Sequence, residues 1–130
     1  MLRLILLQAL LLIAACTGDE TLSAYGAAGK FWRLQSIDGA AYTAAASLRF
    51  PEPGTIAGQA PCNSFKGKQT APYPWFAVEA LAVTRAACPG LKAEAAFLQA
   101  LQAMTLAEVS GRVLILSNGQ GREMLFTAGG

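Results

Sequence analysis

The first apolar pattern in the chain has no period. Leu4 to Ala15 is hydrophobic except for Gln8, and it follows a single basic residue, Arg3. Its twelve residues fall short of the about 20 that a bilayer-spanning helix needs. A short apolar core ending in small residues reads instead as a removed targeting segment. Thr17 to Gly29 is small, polar and glycine-bearing, which predicts a flexible tether with an end-to-end distance of about 20 Å. From Phe31 the period becomes two: Trp32 and Leu34 take one face, Arg33 and Gln35 the other, as in a half-buried strand. Asp38-Gly39 predicts a turn. Ser47 to Phe50 predicts a strand, stopped by Pro51-Glu52-Pro53-Gly54 because prolines and glycine break ladders. Thr55 to Gln59 reads as the return strand, Cys62 to Gln69 as another bent at Gly67, and Trp75 to Ala80 as the next. The aromatic cluster at Trp75-Phe76 is read as cover for the open end of a small β core, with a ligand platform as the alternative.

One segment carries the helical period. After Pro89-Gly90, Leu91 to Met104 is rich in alanine and other good helix formers. Phe97, Leu98, Leu101 and Met104 form its apolar stripe, while Lys92, Gln99 and Gln102 face away. Arg112 to Ser117 and Arg122 to Thr127 flank Asn118-Gly119, a hairpin signal whose loop length Gln120-Gly121 leaves open. Val113 to Leu116 is apolar on both faces, so that strand is expected to be central, with the helix covering one side. Strands, one helix and a closing hairpin predict an α+β fold, a mostly antiparallel sheet with one main helix packed on it.

Ile13-Ala14-Ala15-Cys16 resembles a bacterial lipobox. The resemblance implies that residues 1–15 are a lipoprotein signal peptide, that Cys16 carries lipid, and that the chain faces the periplasm from the cell envelope. Thr17 in place of an aspartate resembles an outer-membrane address in enteric-type sorting. The boundaries expected are therefore signal peptide 1–15, tether 16–29 and one folded domain 30–130, a length that suits a single core.

Ten Lys plus Arg stand against eight Asp plus Glu. Near-neutral charge without a basic run argues against a nucleic-acid partner, whose affinity rests on phosphate neutralisation. The partners expected are the membrane, through lipid on Cys16, and an envelope protein or small ligand; the oligomeric state is left open. With Cys16 consumed by lipid, Cys62 and Cys88 remain in an oxidising compartment. There an even pair points to a disulfide, with two buried unpaired thiols as the alternative. A bridge would need Cα atoms about 4.4–6.8 Å apart and would contribute about 3–4 kcal/mol.

There is no histidine, which excludes Ser-His-Asp and Cys-His pairs and removes the commonest zinc ligand. A lone reactive thiol would need a basic neighbour, with Arg85 and Lys66 the nearest in sequence. After the tether the carboxylates are Asp38, Glu52, Glu79, Glu94, Glu108 and Glu123, expected mostly in turns or on exposed faces. No Gly-rich phosphate loop or cysteine-rich metal motif is present, so no catalytic residue, metal or cofactor is assigned. Asn63, polar beside positions expected in the core, is expected to bond a neighbouring loop's backbone, as buried amides do.

Trp32-x-Leu34-x-x-Ile37-x-Gly39, Cys62-Asn63-x-Phe65-x-Gly67, Thr84-x-x-Ala87-Cys88, Glu94-x-x-Phe97 and Leu125-Phe126 together resemble the META domain of the HslJ-like lipoproteins, over about Phe31 to Thr127. Two positions depart from the pattern: Pro61 stands where glycine is usual, and Ala86 where methionine is common. Pro61 fixes its own φ and lacks a donor, so an edge or bulge is expected there; Ala86 is expected to leave space for Trp75 or Phe76. The resemblance implies a compact β-rich envelope domain with an accessory or stress-tolerance role and no catalytic activity. It marks Trp32, Gly39, Asn63, Phe65, Gly67, Thr84, Glu94 and Phe97 as structural motif residues. The alternatives are a periplasmic thiol/disulfide redox protein using Cys62 and Cys88, although their separation is unlike Cys-x-x-Cys, or an inhibitor of a secreted enzyme.

Overall fold

The computed structural model describes residues 18–129; the signal run and Cys16 lie outside them. After a short 3-10 helix, Leu22–Tyr25, nine strands follow: β1 Trp32–Ile37, β2 Ala40–Ala41, β3 Ser47–Arg49, β4 Thr55–Gln59, β5 Ser64–Lys68, β6 Glu79–Val83, β7 Leu106–Ser110, β8 Val113–Ser117 and β9 Glu123–Ala128. The single α-helix described, α1, is Leu91–Ala103. All pairings are antiparallel, in the order β6-β5-β4-β3-β1-β9-β8-β7, with β2 beside β1. The α+β sheet-and-helix architecture expected from the pattern is the one observed.

Alternation decides which face is inside. Trp32, Leu34, Leu48, Ile56, Phe65, Leu114, Leu116, Met124 and Phe126 are buried on the inner face, and α1 contributes Phe97, Ala100 and Leu101 to the same cluster. Each fully buried large side chain contributes about 1.5–3 kcal/mol. Arg33, Arg49, Lys66 and Lys68 stand on the outer face.

Asp38 and Gly39 have φ of 52° and 79°, the positive values that a tight two-residue hairpin turn demands. The Asp38 side chain is also a staple: Oδ1 accepts the Glu123 N–H at 3.0 Å, and Oδ2 accepts Arg122 Nε and Nη2 at 3.1 and 3.0 Å. The final hairpin pairs Ser117 with Glu123. Asn118 organises its loop, accepting the Gln120 and Arg122 N–H groups and donating to the Ala103 carbonyl at the end of α1.

Two expectations change. The stretch 20–29, expected to be tether, belongs to the domain: Leu22 and Ala27 are fully buried, Trp32 Nε1 donates to the Ala27 carbonyl, and the Tyr73 N–H donates to that of Glu20. Small residues let this segment lie close against β7 and Trp32, so the folded body starts about ten residues before residue 30. Second, Trp75 to Ala80 is not one strand. Trp75 makes a single bridge to Leu106, Phe76 donates its N–H to Thr105, and Ala107 donates to Pro74. The connection from β5 to β6 thus lines the free edge of β7, covering an edge that would otherwise invite pairing. Phe76 is buried there, as a core cover should be, but Trp75 is 59% exposed. β7, a strand that the pattern does not announce, escapes the alternation because its inward positions, Ala107 and Val109, are small or only partly buried.

Gly58, buried in β4, tests the sheet's close approach. A Cβ there would run into the Ser47 carbonyl oxygen and come within 2.6 Å of Phe65 Cζ. Gly58→Ala is expected to cost at least about 2 kcal/mol, because the obstacle is backbone and cannot swing away; urea unfolding measures it. The staple sets an acid limb. The Glu123 N–H, then the Arg122 side chain, hold the Asp38 carboxyl below its ordinary value. A group depressed by folding contributes stability above its unfolded pKa and loses it as pH falls through the folded one. Asp38→Asn should therefore flatten the stability-versus-pH curve below about pH 4, as read by chemical unfolding across that range.

Candidate functional site

Cys62, Asn63, Thr84, Cys88 and Glu94, spread along the sequence, converge where the β4–β5 loop, the β6–α1 loop and the first turn of α1 meet. Glu94 is 5% exposed and Asn63 4%. Glu94 Oε1 accepts the backbone N–H groups of Cys62 and Asn63 at 3.1 and 2.8 Å, and Oε2 accepts Asn63 Nδ2 at 2.8 Å. Asn63 Nδ2 also donates to the Ala86 carbonyl at 3.0 Å; its Oδ1 accepts the Ala86 N–H at 2.6 Å and the Thr84 hydroxyl at 2.9 Å. Every side-chain donor and acceptor site of Asn63 is thereby used. Thr84 Oγ1 accepts the Ser64 N–H at 3.2 Å, tying the two loops once more.

Cys62 and Cys88 are bridged across these loops, with Cα atoms 5.7 Å apart. Of the two states left open for the pair, the bridge is the one present. The Gly90 N–H at the start of α1 donates to Cys88 Sγ at 3.3 Å. Beneath the knot lies an aromatic floor: Phe65 and Phe97 have ring centroids 5.6 Å apart, and Tyr42 stands 6.3 Å from Phe97. The Tyr42 hydroxyl donates to the Ala93 carbonyl at 2.8 Å. Burial, then the Glu94 charge, pushes the Tyr42 phenol up from its ordinary value, so it stays a donor at neutral pH.

Glu94 is the exception to the expectation that the carboxylates face solvent. Its signal was present in the spacing: it precedes Phe97 by three residues and Leu101 by seven, which places it on the buried stripe of the helix. A carboxylate on that stripe must find donors or unfold the helix, and the Cys62-Asn63 backbone supplies them. Trp32, Gly39 and Gly67 are not part of the knot. Trp32 is buried at the centre of the sheet, Gly39 makes the β1–β2 turn, and a Cβ on Gly67 would sit 3.0 Å from the Glu79 carbonyl oxygen. Pro61 stands between strands, in the β4–β5 loop. Ala86 is exposed with its backbone bonded to Asn63, while Trp75 and Phe76 pair with the β7 edge. They fill no gap beside it.

A shallow depression of about 490 Å³ opens on the outer face above the knot, lined by Arg49, Gln59, Ser64, Lys66 and Thr84 among others. A second, of about 520 Å³, lies across β3 near Arg33, Gln35 and Pro61. Among the described residues, no group of three His, Cys, Asp or Glu side chains is placed to hold a metal. No described helix is long and apolar enough to cross a membrane.

A curled antiparallel sheet with one helix packed on it, its loops pinned by an Asn-Glu-disulfide knot, makes an α+β domain. Within it, the sequence profile of the META domain matches residues 26–129, and this chain belongs to the META domain family. Among solved structures, it is similar to an NMR structure of a protein from Burkholderia xenovorans, at 22% identity and TM-score 0.67, covering 88% of this chain and 93% of that one. It is also similar to a second NMR structure, at 19% identity and TM-score 0.60, covering 75% and 87%. A DUF4847 family protein from Bacteroides vulgatus, solved by crystallography, matches at 18% identity and TM-score 0.51, covering 63% and 57%. At these identities the likeness is one of fold. No curated protein matches the sequence.

Glu94→Gln tests the knot. The amide retains one acceptor for the two backbone N–H groups, but its NH₂ then faces Asn63 Nδ2, donor against donor. Loss of the charge-assisted bonds and one mispaired donor should cost about 2–4 kcal/mol, measured by urea unfolding of the oxidised protein.

Proposed function

We propose that this chain is a non-enzymatic, lipid-anchored envelope protein: a META domain held to a membrane through lipid on Cys16, facing the periplasm, and acting as an accessory or stress-tolerance factor by binding an envelope protein or small ligand. The observation that carries the reading is how the polar motif residues are used. Both oxygens of Glu94 and the full capacity of Asn63 go to loops of the same domain. Such groups hold a surface in place and have nothing left to offer a substrate. The lipobox-like Ile13-Ala14-Ala15-Cys16 supports the anchor, and the bridged Cys62 and Cys88 fit an oxidising compartment. The outer-face depression with Arg49 and Lys66 is the surface offered to a ligand.

Two measurements test the reading. Intact mass of protein from native membranes, with and without reductant, should show lipid on Cys16 and a gain of two hydrogens on reduction. Hydrolase and thiol-exchange panels should show no turnover. Robust turnover lost on changing one side chain would replace the reading with an enzymatic one, and for thiol exchange that side chain would be Cys62 or Cys88.

A further inference from the structure

Among the described residues, the large hydrophobic side chains left exposed are Tyr25, Phe31, Trp75, Leu91 and Val113. Scattered singly, such residues need no explanation. Here all but Leu91 gather around β7 and its turn to β8. Tyr25 stacks on Tyr73 with ring centroids 4.6 Å apart, and the Tyr73 hydroxyl accepts the Val109 N–H. Trp75 bridges Leu106 on the same strand. Val113 pairs with Ser110 across the turn, and Lys30, next to Phe31, donates to the Gly111 carbonyl.

The chain enters the domain at this same place. The Glu20 carbonyl accepts the Tyr73 N–H at 2.7 Å, and Asp19 is tied to Thr21. Only four peptide steps separate Cys16 from Glu20, a reach of at most about 14 Å. A lipid on Cys16 would thus hold the Tyr25–Tyr73–Trp75 side within a few residues' length of the bilayer. At so short a tether the effective concentration of the surface is in the millimolar range, enough for a patch too weak to bind in free solution.

We propose that the β7 side, through Tyr25, Tyr73 and Trp75, docks on the bilayer interface that receives the Cys16 lipid, fixing how the domain stands on the membrane. The proposal rests on the lipid-anchor reading above. Tyr and Trp suit the level of the headgroups, with apolar rings and one polar atom each. Charges near the patch almost cancel, Asp19, Glu20 and Glu108 against Lys30 and Arg112. Docking therefore draws on ring burial and is expected on neutral phosphatidylcholine, with little dependence on salt. The docked orientation turns the outer face of β3 to β6, at the other end of the sheet, towards the periplasm.

The test uses the full lipoprotein purified from membranes, its lipid checked by mass, in phosphatidylcholine vesicles with brominated acyl chains. The protein has two tryptophans, and Trp32 is wholly buried, so the response belongs to Trp75. Bromine should quench the Trp75 emission and leave that of Trp32, and iodide in the water should not reach Trp75. Trp75→Phe should abolish the bromine response. A flexible spacer of about ten residues between Thr17 and Gly18 lowers the effective concentration about sixfold and should restore iodide access. If the lipid is present while Trp75 is open to iodide and blind to bromine, docking is overturned and the anchor stands. If mass shows Cys16 bare, the anchor and the docking fall together.

Discussion

The domain is organised around a buried charge that cannot be left alone. Glu94 lies on the inner stripe of α1, where a bare carboxylate would cost several kcal/mol, and three donors from Cys62 and Asn63 surround it. That requirement fixes the position of the helix over the sheet, since moving it by a turn would strand the charge. It fixes the β4–β5 loop, whose N–H groups must point inward. Through Asn63 it also fixes the β6–α1 loop, and the disulfide closes the same junction covalently. Two weak points of a small sheet, a lone helix and its flanking loops, are secured by one set of contacts.

The opposite side of the sheet is secured differently. There the β7 edge is lined by the Pro74–Phe76 connection and by the segment after residue 20. Both are short on regular structure, and both tie themselves down by backbone hydrogen bonds and a few rings. The N-terminal segment gains its order from Leu22, Ala27 and the Trp32 indole rather than from its own propensity. The consequence is that a stretch with the composition of a leash is instead part of the folded body.

These two ends divide the tasks of the fold. The knot end is rigid, oxidised and carries the outer-face depression with Arg49, Lys66 and Thr84. The β7 end carries the chain entry and the exposed aromatic rings.

Periodicity sufficed for β1, β3, β4, β5, α1 and the β8–β9 hairpin, because each buries a face whose spacing, 2 or 3.6, is written in consecutive residues. The family, too, was legible in the order of the short motifs. β2, β6, β7 and the segment 20–29 were not legible. β7 buries Ala107 and only part of Leu106 and Val109, on opposite faces, too little contrast to mark a face, and its partner at Trp75 is a single bridge rather than a run. The segment 20–29 looked like tether because its residues are small, yet small residues are also what a chain needs to lie flat against a β edge. At the site, residue identities foretold that Asn63 would bond backbone, and the helical stripe held Glu94 all along. Which donors meet that carboxylate was decided only by tertiary structure, because they come from a loop more than 30 residues away, and no local pattern encodes what a distant loop brings within reach.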